Sequence, residues 1–305
     1  MPYDLTRPLV IGISSRALFD LEAENRLYEE QGLAAYESYQ VSHETVVLQK
    51  GAAFPLVRAF LELNSLQEER LVEVIVTSRN SPNTSLRIFH SIQSYGLDIT
   101  RAALTGGAEI APYLKAFQTD LFLSANREDV QQAVDSGIAA GVILPGGPRQ
   151  ESSSGVRQIR IAFDGDAVLF GAGSERIFRQ KGLEAFEENE RAKADIPLQR
   201  GPFARFLETV AHIQSTFAER DPAPVRTALV TSRSVPAHER AIKTLRSWGV
   251  HVDEAYFLGG VSKKEVLSAF GAQIFFDDQY VHADPASEVV PAAVVPYREG
   301  DGPLV

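Results

Sequence analysis

The chain contains no cysteine, which excludes disulfides, thiolate nucleophiles and sulfur-ligated metal sites and fits a reducing compartment. It has no apolar run approaching the roughly 20 residues of a membrane span. Its start, Met1-Pro2-Tyr3-Asp4-Leu5-Thr6-Arg7-Pro8, lacks the charged-then-apolar pattern of a secretory signal. The expectation is a soluble, cytoplasmic protein. Positive charge is also in deficit: 30 Lys and Arg against 40 Asp and Glu leave a net charge of −10. Neither a nucleic-acid polymer nor an anionic membrane surface is an expected partner. An anionic substrate would have to be drawn by a local site, against the global field. The remaining composition is ordinary, with 44% hydrophobic and 23% charged residues in 305. That is enough for one large or two ordinary domains.

Against this background one stretch stands out. Ile159-Arg160-Ile161-Ala162-Phe163 reads as a strand that ends in Asp164-Gly165-Asp166. Two carboxylates one residue apart at a strand tip raise each other's pKa unless a cation or proton is shared. A divalent metal resolves the repulsion, and hard oxygen ligands select Mg²⁺. One aspartate can then act as nucleophile and the other as acid/base. Alone, Asp-x-Asp is more often a surface turn. Three further features change that reading. Ala228-Leu229-Val230-Thr231 is a second strand, ending in a hydroxyl suited to a phosphate oxygen. Lys263, with Lys264 beside it, follows Gly259-Gly260. Ile274-Phe275-Phe276 is a strand ending in Asp277-Asp278.

In this order the motifs resemble the haloacid dehalogenase-like (HAD) phosphatase superfamily. The finer wording of Phe163–Phe170, Val230–Ser234 and Phe275–Gln279, with Ile13–Asp20 near the start, is similar to the cytosolic 5′-nucleotidase type I family. The resemblance implies Mg²⁺-dependent hydrolysis of nucleoside 5′-monophosphates (AMP or IMP type) through an aspartyl-phosphate, in a cytosolic homo-oligomer. It implies Asp164 as nucleophile and Asp166 as acid/base. Asp164, Asp166 (through its carbonyl), Asp277 and Asp278 would hold the metal. Thr231, Gly165 and Ser232 would hold the phosphate, and Lys263 would pair with phosphate and Asp164. Lys264 stays open as the alternative lysine. Arg233 is read either as reaching substrate or as a carboxylate partner. A phosphatase for another small phosphate ester, a phosphotransferase and a nucleotide-binding regulatory protein remain as competing readings.

The chain also repeats itself. Val76-Thr77-Ser78-Arg79 recurs as Val230-Thr231-Ser232-Arg233, Gln31-Gly32-Leu33 as Lys181-Gly182-Leu183, and Leu48-Gln49-Lys50-Gly51 as Leu198-Gln199-Arg200-Gly201, at an offset near 150. Ordered self-similarity of this kind predicts two copies of one fold, joined by a linker at 146–155. The offset sets Asp164 on Ser14, Asp166 on Arg16, Lys263 on Ile110 and Asp277-Asp278 on Ser124-Ala125. The first copy therefore lacks the acids and the lysine. It is read as a chemically silent, structural duplicate, the alternative being a role in binding an effector nucleotide or shaping the substrate pocket.

The expected fold is α/β: two tandem Rossmann-like (HAD-like) parallel-sheet units. Residues 1–150 form the degenerate unit, and 151–305 the catalytic one with a small cap at about 170–225. Strands are expected at 157–163, 226–231, 252–257 and 273–277, and helices near 200–217, 236–248 and 262–270. The charged residues Glu184, Glu187, Glu188, Glu190, Arg191 and Lys193 are read as a solvated helix face. Phe170, Phe178 and Phe186 are read as core, with base stacking as the alternative.

Overall fold

A computed structural model describes residues 3–146 and 158–298; all but the first residue of the expected linker lies outside them. The strands are β1 (Leu9–Ile13), β2 (Phe19–Asp20), β3 (Gln49–Lys50), β4 (Val72–Ser78), β5 (Arg101–Leu104), β6 (Leu121–Ser124), β7 (Ala139–Ile143), β8 (Ile159–Phe163), β9 (Val225–Thr231), β10 (Glu254–Phe257), β11 (Ile274–Asp277) and β12 (Ala292–Val294). Ten of them form one sheet, in the order β10-β9-β8-β11-β12-β7-β6-β1-β4-β5, while β2 and β3 pair separately. Every neighbouring pair in the large sheet is parallel except β12 with β7.

Outward from that antiparallel seam the two halves have the same order, β7-β6-β1-β4-β5 on one side and β12-β11-β8-β9-β10 on the other. Because the seam is antiparallel, the C-terminal strand ends of the two halves lie at opposite edges of the sheet. The protein is thus an α/β fold on one large, mostly parallel sheet, continuous across both halves.

Alternation along the strands explains the layers, since successive side chains point to opposite faces. Leu9, Ile11, Ile13, Val72, Val74, Val76, Ile159, Ile161 and Phe163 belong to one apolar cluster that runs across both halves. The opposite face holds two clusters, one around Phe122, Ala140 and Val142 and one around Ala228, Val230 and Phe275. Both faces are buried, which is why these strands read as continuous apolar runs.

The expected strands of the second half lie at β8, β9, β10 and β11, and its expected helices at Ala204–Thr216, His238–Ser247 and Lys263–Phe270. The stretch read as a cap holds two different things. Ala204–Thr216 buries Phe206, Leu207 and Val210 in the shared core and covers the sheet. Gly173–Ala192 is the element that stands apart, kinked at Gly182 (φ 82°, ψ −177°). The first half carries its counterpart, Glu22–Ser42, kinked at Gly32 (φ 81°, ψ −178°). The insertion is therefore common to both halves, whereas the sequence reading placed it in the second alone. Left-handed φ at mid-helix is open to glycine at little cost, and this explains the repeated Gln31-Gly32-Leu33 and Lys181-Gly182-Leu183.

Candidate active site

The strand tips of the second half bring the acids together. Asp164 follows the last residue of β8, Asp277 ends β11 and Asp278 follows it. One carboxylate oxygen from each lies within 4.8 Å of the others, and all three residues are buried. Asp164 accepts no register choice: its N–H donates to the Phe276 carbonyl at 2.8 Å, which locks the tip of β8 to β11. Lys263 opens the helix Lys263–Phe270, with Ser262 as its N-cap. Its ammonium donates to Asp164 Oδ1 at 2.6 Å and to Asp277 Oδ2 at 2.7 Å.

The electrostatics follow from this geometry. Burial pushes the Asp164 carboxyl well above the usual carboxylate range; Lys263 opposes that, and Asp277, Asp278 and Asp166 add to it. Burial, then Asp277, pushes Asp278 up to about 7, against a hydrogen bond from the Tyr297 hydroxyl. Burial would lower the Lys263 ammonium, but Asp164 and Asp277 outweigh it and hold its pKa above the ordinary value. One lysine thus serves three buried carboxylates, and a further cation would relieve the excess. Asp278 Oδ1 is buried without a hydrogen-bond partner. A cluster of hard oxygen donors with an unpartnered oxygen fits Mg²⁺ or a similar hard dication.

The other expected site residues divide. Thr231 ends β9, and a Cβ added at Gly165 would lie 3.3 Å from its Oγ1, so glycine keeps a space open between the two strand tips. Ser232 is exposed beside Thr231. Lys264, half-buried, sends its ammonium to Glu288 at 2.5 Å, away from the acids; Lys263 is the lysine that reaches them. Asp166 sits outside the three-carboxylate cluster, and its carboxylate receives both Nε and Nη2 of Arg233 at 2.7 and 2.6 Å.

Arg233 is a carboxylate partner on two sides, since its Nη1 donates to Glu190 Oε2 at 2.6 Å. Arg240 Nη1 and the Ser174 hydroxyl donate to the other Glu190 oxygen at 2.9 and 2.8 Å. Burial alone would lower the Arg233 pKa, but Asp166 and Glu190 hold it above the ordinary value. Glu190 is therefore a buried anchor, contrary to its reading as part of a solvated face. The signal was available: it lies four residues after Phe186, which is also buried, and so shares its side of the helix. Arg240 and Ser174 carried no comparable signal. Phe170 and Phe186 are core residues as expected, whereas Phe178 is 44% exposed and meets Phe186 edge-on at 6.2 Å.

The arrangement sets a buried carboxylate cluster, a further carboxylate held by a planar fork and a lysine on one sheet edge, where ligands of parallel sheets bind. Comparisons with known proteins place the chain in a family. Residues 1–301 match the 5′-nucleotidase family. Human cytosolic 5′-nucleotidase 1B is 37% identical over 291 residues, covering 92% of this chain and 47% of the human protein. The chain spans about half the length of that relative. A solved histidinol dehydrogenase from Elizabethkingia anophelis covers 94% of this chain and 52% of its own, at 12% identity and a TM-score of 0.22, a likeness too low to bear on fold or function. On the whole-length family match and the human relative, the chain belongs to the 5′-nucleotidase family.

Proposed function

We propose that this chain hydrolyses nucleoside 5′-monophosphates with Mg²⁺, through a phosphorylated Asp164. The observation that carries the reading is the convergence of Asp164, Asp277 and Asp278 on Lys263 at one sheet edge, within a chain of the 5′-nucleotidase family.

Asp164, Asp277 and Asp278, with the Asp166 carbonyl, would hold Mg²⁺, which when bound supplies positive charge for the phosphoryl oxygens. Asp164 attacks phosphorus in line. Its Oδ–P bond forms as the bond from phosphorus to the ribose 5′-oxygen breaks. Asp166 delivers a proton to that leaving oxygen, held in place by the two-point grip of Arg233. A water then attacks the aspartyl-phosphate, giving its proton to Asp166 and freeing phosphate and Asp164. The transition state of such transfers is loose, so positioning and charge neutralisation matter more than nucleophilic push. Lys263 neutralises Asp164 before attack and the phosphoryl group during it. Thr231, Ser232 and the backbone around Gly165 hold phosphate oxygens.

The same reading makes the chain two tandem HAD-like units, 1–150 silent and 151–305 catalytic, supported by the repeated strand order. The helix Gly173–Ala192 acts as the cap over the catalytic edge. No described helix is long and apolar enough to cross a membrane, and the human relative's name, cytosolic 5′-nucleotidase 1B, supports a cytosolic role.

Phosphate release from a panel of nucleoside 5′-monophosphates and sugar phosphates, with Mg²⁺ or with EDTA, tests the function. Metal-dependent release from AMP or IMP is expected. Release confined to sugar phosphates would discard the nucleotidase reading and keep the chemistry.

A further inference from the structure

The first half's counterpart of the reaction site is an open cavity of about 490 Å³, within the roughly 300–1,000 Å³ of small-molecule sites. The strand tips that bear acids in the second half bear hydroxyls here. Ser14 follows β1 as Asp164 follows β8, Ser124 ends β6 as Asp277 ends β11, and Arg16 stands where Asp166 does. The cavity is lined by these residues, by Thr77 and Ser78 at the end of β4 and Asn80 just after it, and by Tyr28 and Tyr36 of the kinked helix.

Three buried polar atoms on its wall have no hydrogen-bond partner: Thr77 Oγ1, Asn80 Nδ2 and Arg16 Nε. Thr77 as a whole is 1% exposed. Two of the three are donors only and the third can donate. A buried donor without an acceptor is costly, and a ligand rich in acceptor oxygens would satisfy all three. The two buried carboxylates on the wall do not oppose an anion. Glu24 is paired with Arg87 at 2.7 Å and Asp129 with Arg79 at 2.6 Å.

The other end of the cavity suits a base and sugar. Tyr28 and Tyr36 meet edge-on at 6.0 Å and 80°, as Phe178 and Phe186 do at 6.2 Å and 81° in the second half. Tyr28 is exposed and free to stack. Glu37, half-buried and next to Tyr36, offers an acceptor for sugar hydroxyls.

We propose that this cavity is a second ligand site, for a nucleoside monophosphate that is bound without metal and not hydrolysed. The cavity lacks the counterpart of Asp164: Ser14 stands at that position, and its Oγ accepts from the Ala17 N–H as a helix cap. The site lies at the opposite sheet edge from Asp164, so both can be filled at once. It stands on the first half's own geometry and does not need the reaction proposed above.

The test is calorimetric titration of the full chain with AMP in EDTA, for the parent, Thr77→Val and Thr77→Ser, each checked for an unchanged circular-dichroism melt. One AMP per chain is expected for the parent and for Thr77→Ser, with affinity at least about tenfold weaker in Thr77→Val, the loss typical of one hydrogen bond to a charged group. Adenosine without phosphate should bind more weakly by a similar factor. Failure of AMP to bind at millimolar concentration in EDTA, or binding of equal strength in Thr77→Val, would overturn the second site. Turnover of AMP with Mg²⁺ by the same parent preparation reports separately on the reaction site.

Discussion

Lys263 and Asp164, 99 residues apart in the chain, are joined by an ammonium–carboxylate bond of 2.6 Å in which both side chains are buried. The same ammonium lies 2.7 Å from Asp277. Removing one partner of a buried ion pair commonly costs about 3–5 kcal/mol, because the other charge is left uncompensated. Lys263→Met should therefore lower the melting temperature measured in EDTA, and added Mg²⁺ should restore more stability to the variant than to the parent. A melt equal to the parent's in EDTA would contradict the role given to this lysine.

Arg233 grips Asp166 through two nitrogens. Lysine keeps the charge and loses the planar fork. Arg233→Lys should lower kcat on a nucleoside monophosphate at least about tenfold with KM little changed, because Asp166, the proposed proton donor, loses its placement while the proposed phosphate contacts remain. Steady-state kinetics separate the two constants. A change confined to KM would mean that Arg233 serves substrate binding instead.

The Glu190 network should show itself in the acid limb of stability. Burial alone would raise the Glu190 carboxyl, but Arg233, with Ser174 and Arg240, holds it below the ordinary value of 4.5. A carboxylate whose folded pKa is depressed stabilises the fold above its unfolded pKa, and that contribution disappears as pH falls through the folded value. Glu190→Gln should thus melt lower than the parent near neutral pH, and the gap should close progressively below about pH 4.5. A gap independent of pH would assign the effect to packing.

Two glycines, one in each half, are held by close backbone approach. A Cβ at Gly201 would fall 2.3 Å from the Val168 carbonyl oxygen, and one at Gly51 would fall 2.7 Å from that of Ala17. Backbone cannot yield as a flexible side chain can. Gly201→Ala and Gly51→Ala should each destabilise by about 1–3 kcal/mol or more, read by denaturant unfolding. Unchanged midpoints would show that the turns relax freely.

These glycines also show what was legible in the sequence. The repeats Leu48-Gln49-Lys50-Gly51 and Leu198-Gln199-Arg200-Gly201 mark backbone positions with no room for a side chain, so they persist in both halves and reveal the duplication. The acids were legible because each follows an apolar run: Asp164 after Ile159–Phe163 and Asp277 at the end of Ile274–Asp277. The choice between Lys263 and Lys264 was also within reach. Lys263 is spaced four and seven residues from the buried Leu267 and Phe270, and so shares their face. Three things were not. The antiparallel seam of β7 and β12 depends on how the two halves meet, which no local pattern encodes. The pairing of Glu190 with Arg233 and Arg240 depends on packing between elements more than forty residues apart. The two-point hold of Arg233 on Asp166 spans 67 residues and turns a residue open to substrate into a fixed support.

The central claim is that Asp164 carries the phosphoryl group. The most direct measurement is to mix the protein with AMP and Mg²⁺, quench in acid within a turnover, reduce with borohydride and locate the modified residue by mass spectrometry. An aspartyl-phosphate is reduced to homoserine, so conversion at position 164 is expected, together with loss of turnover in Asp164→Asn. Phosphate release at the parent rate by Asp164→Asn, with no conversion at 164, would contradict the account.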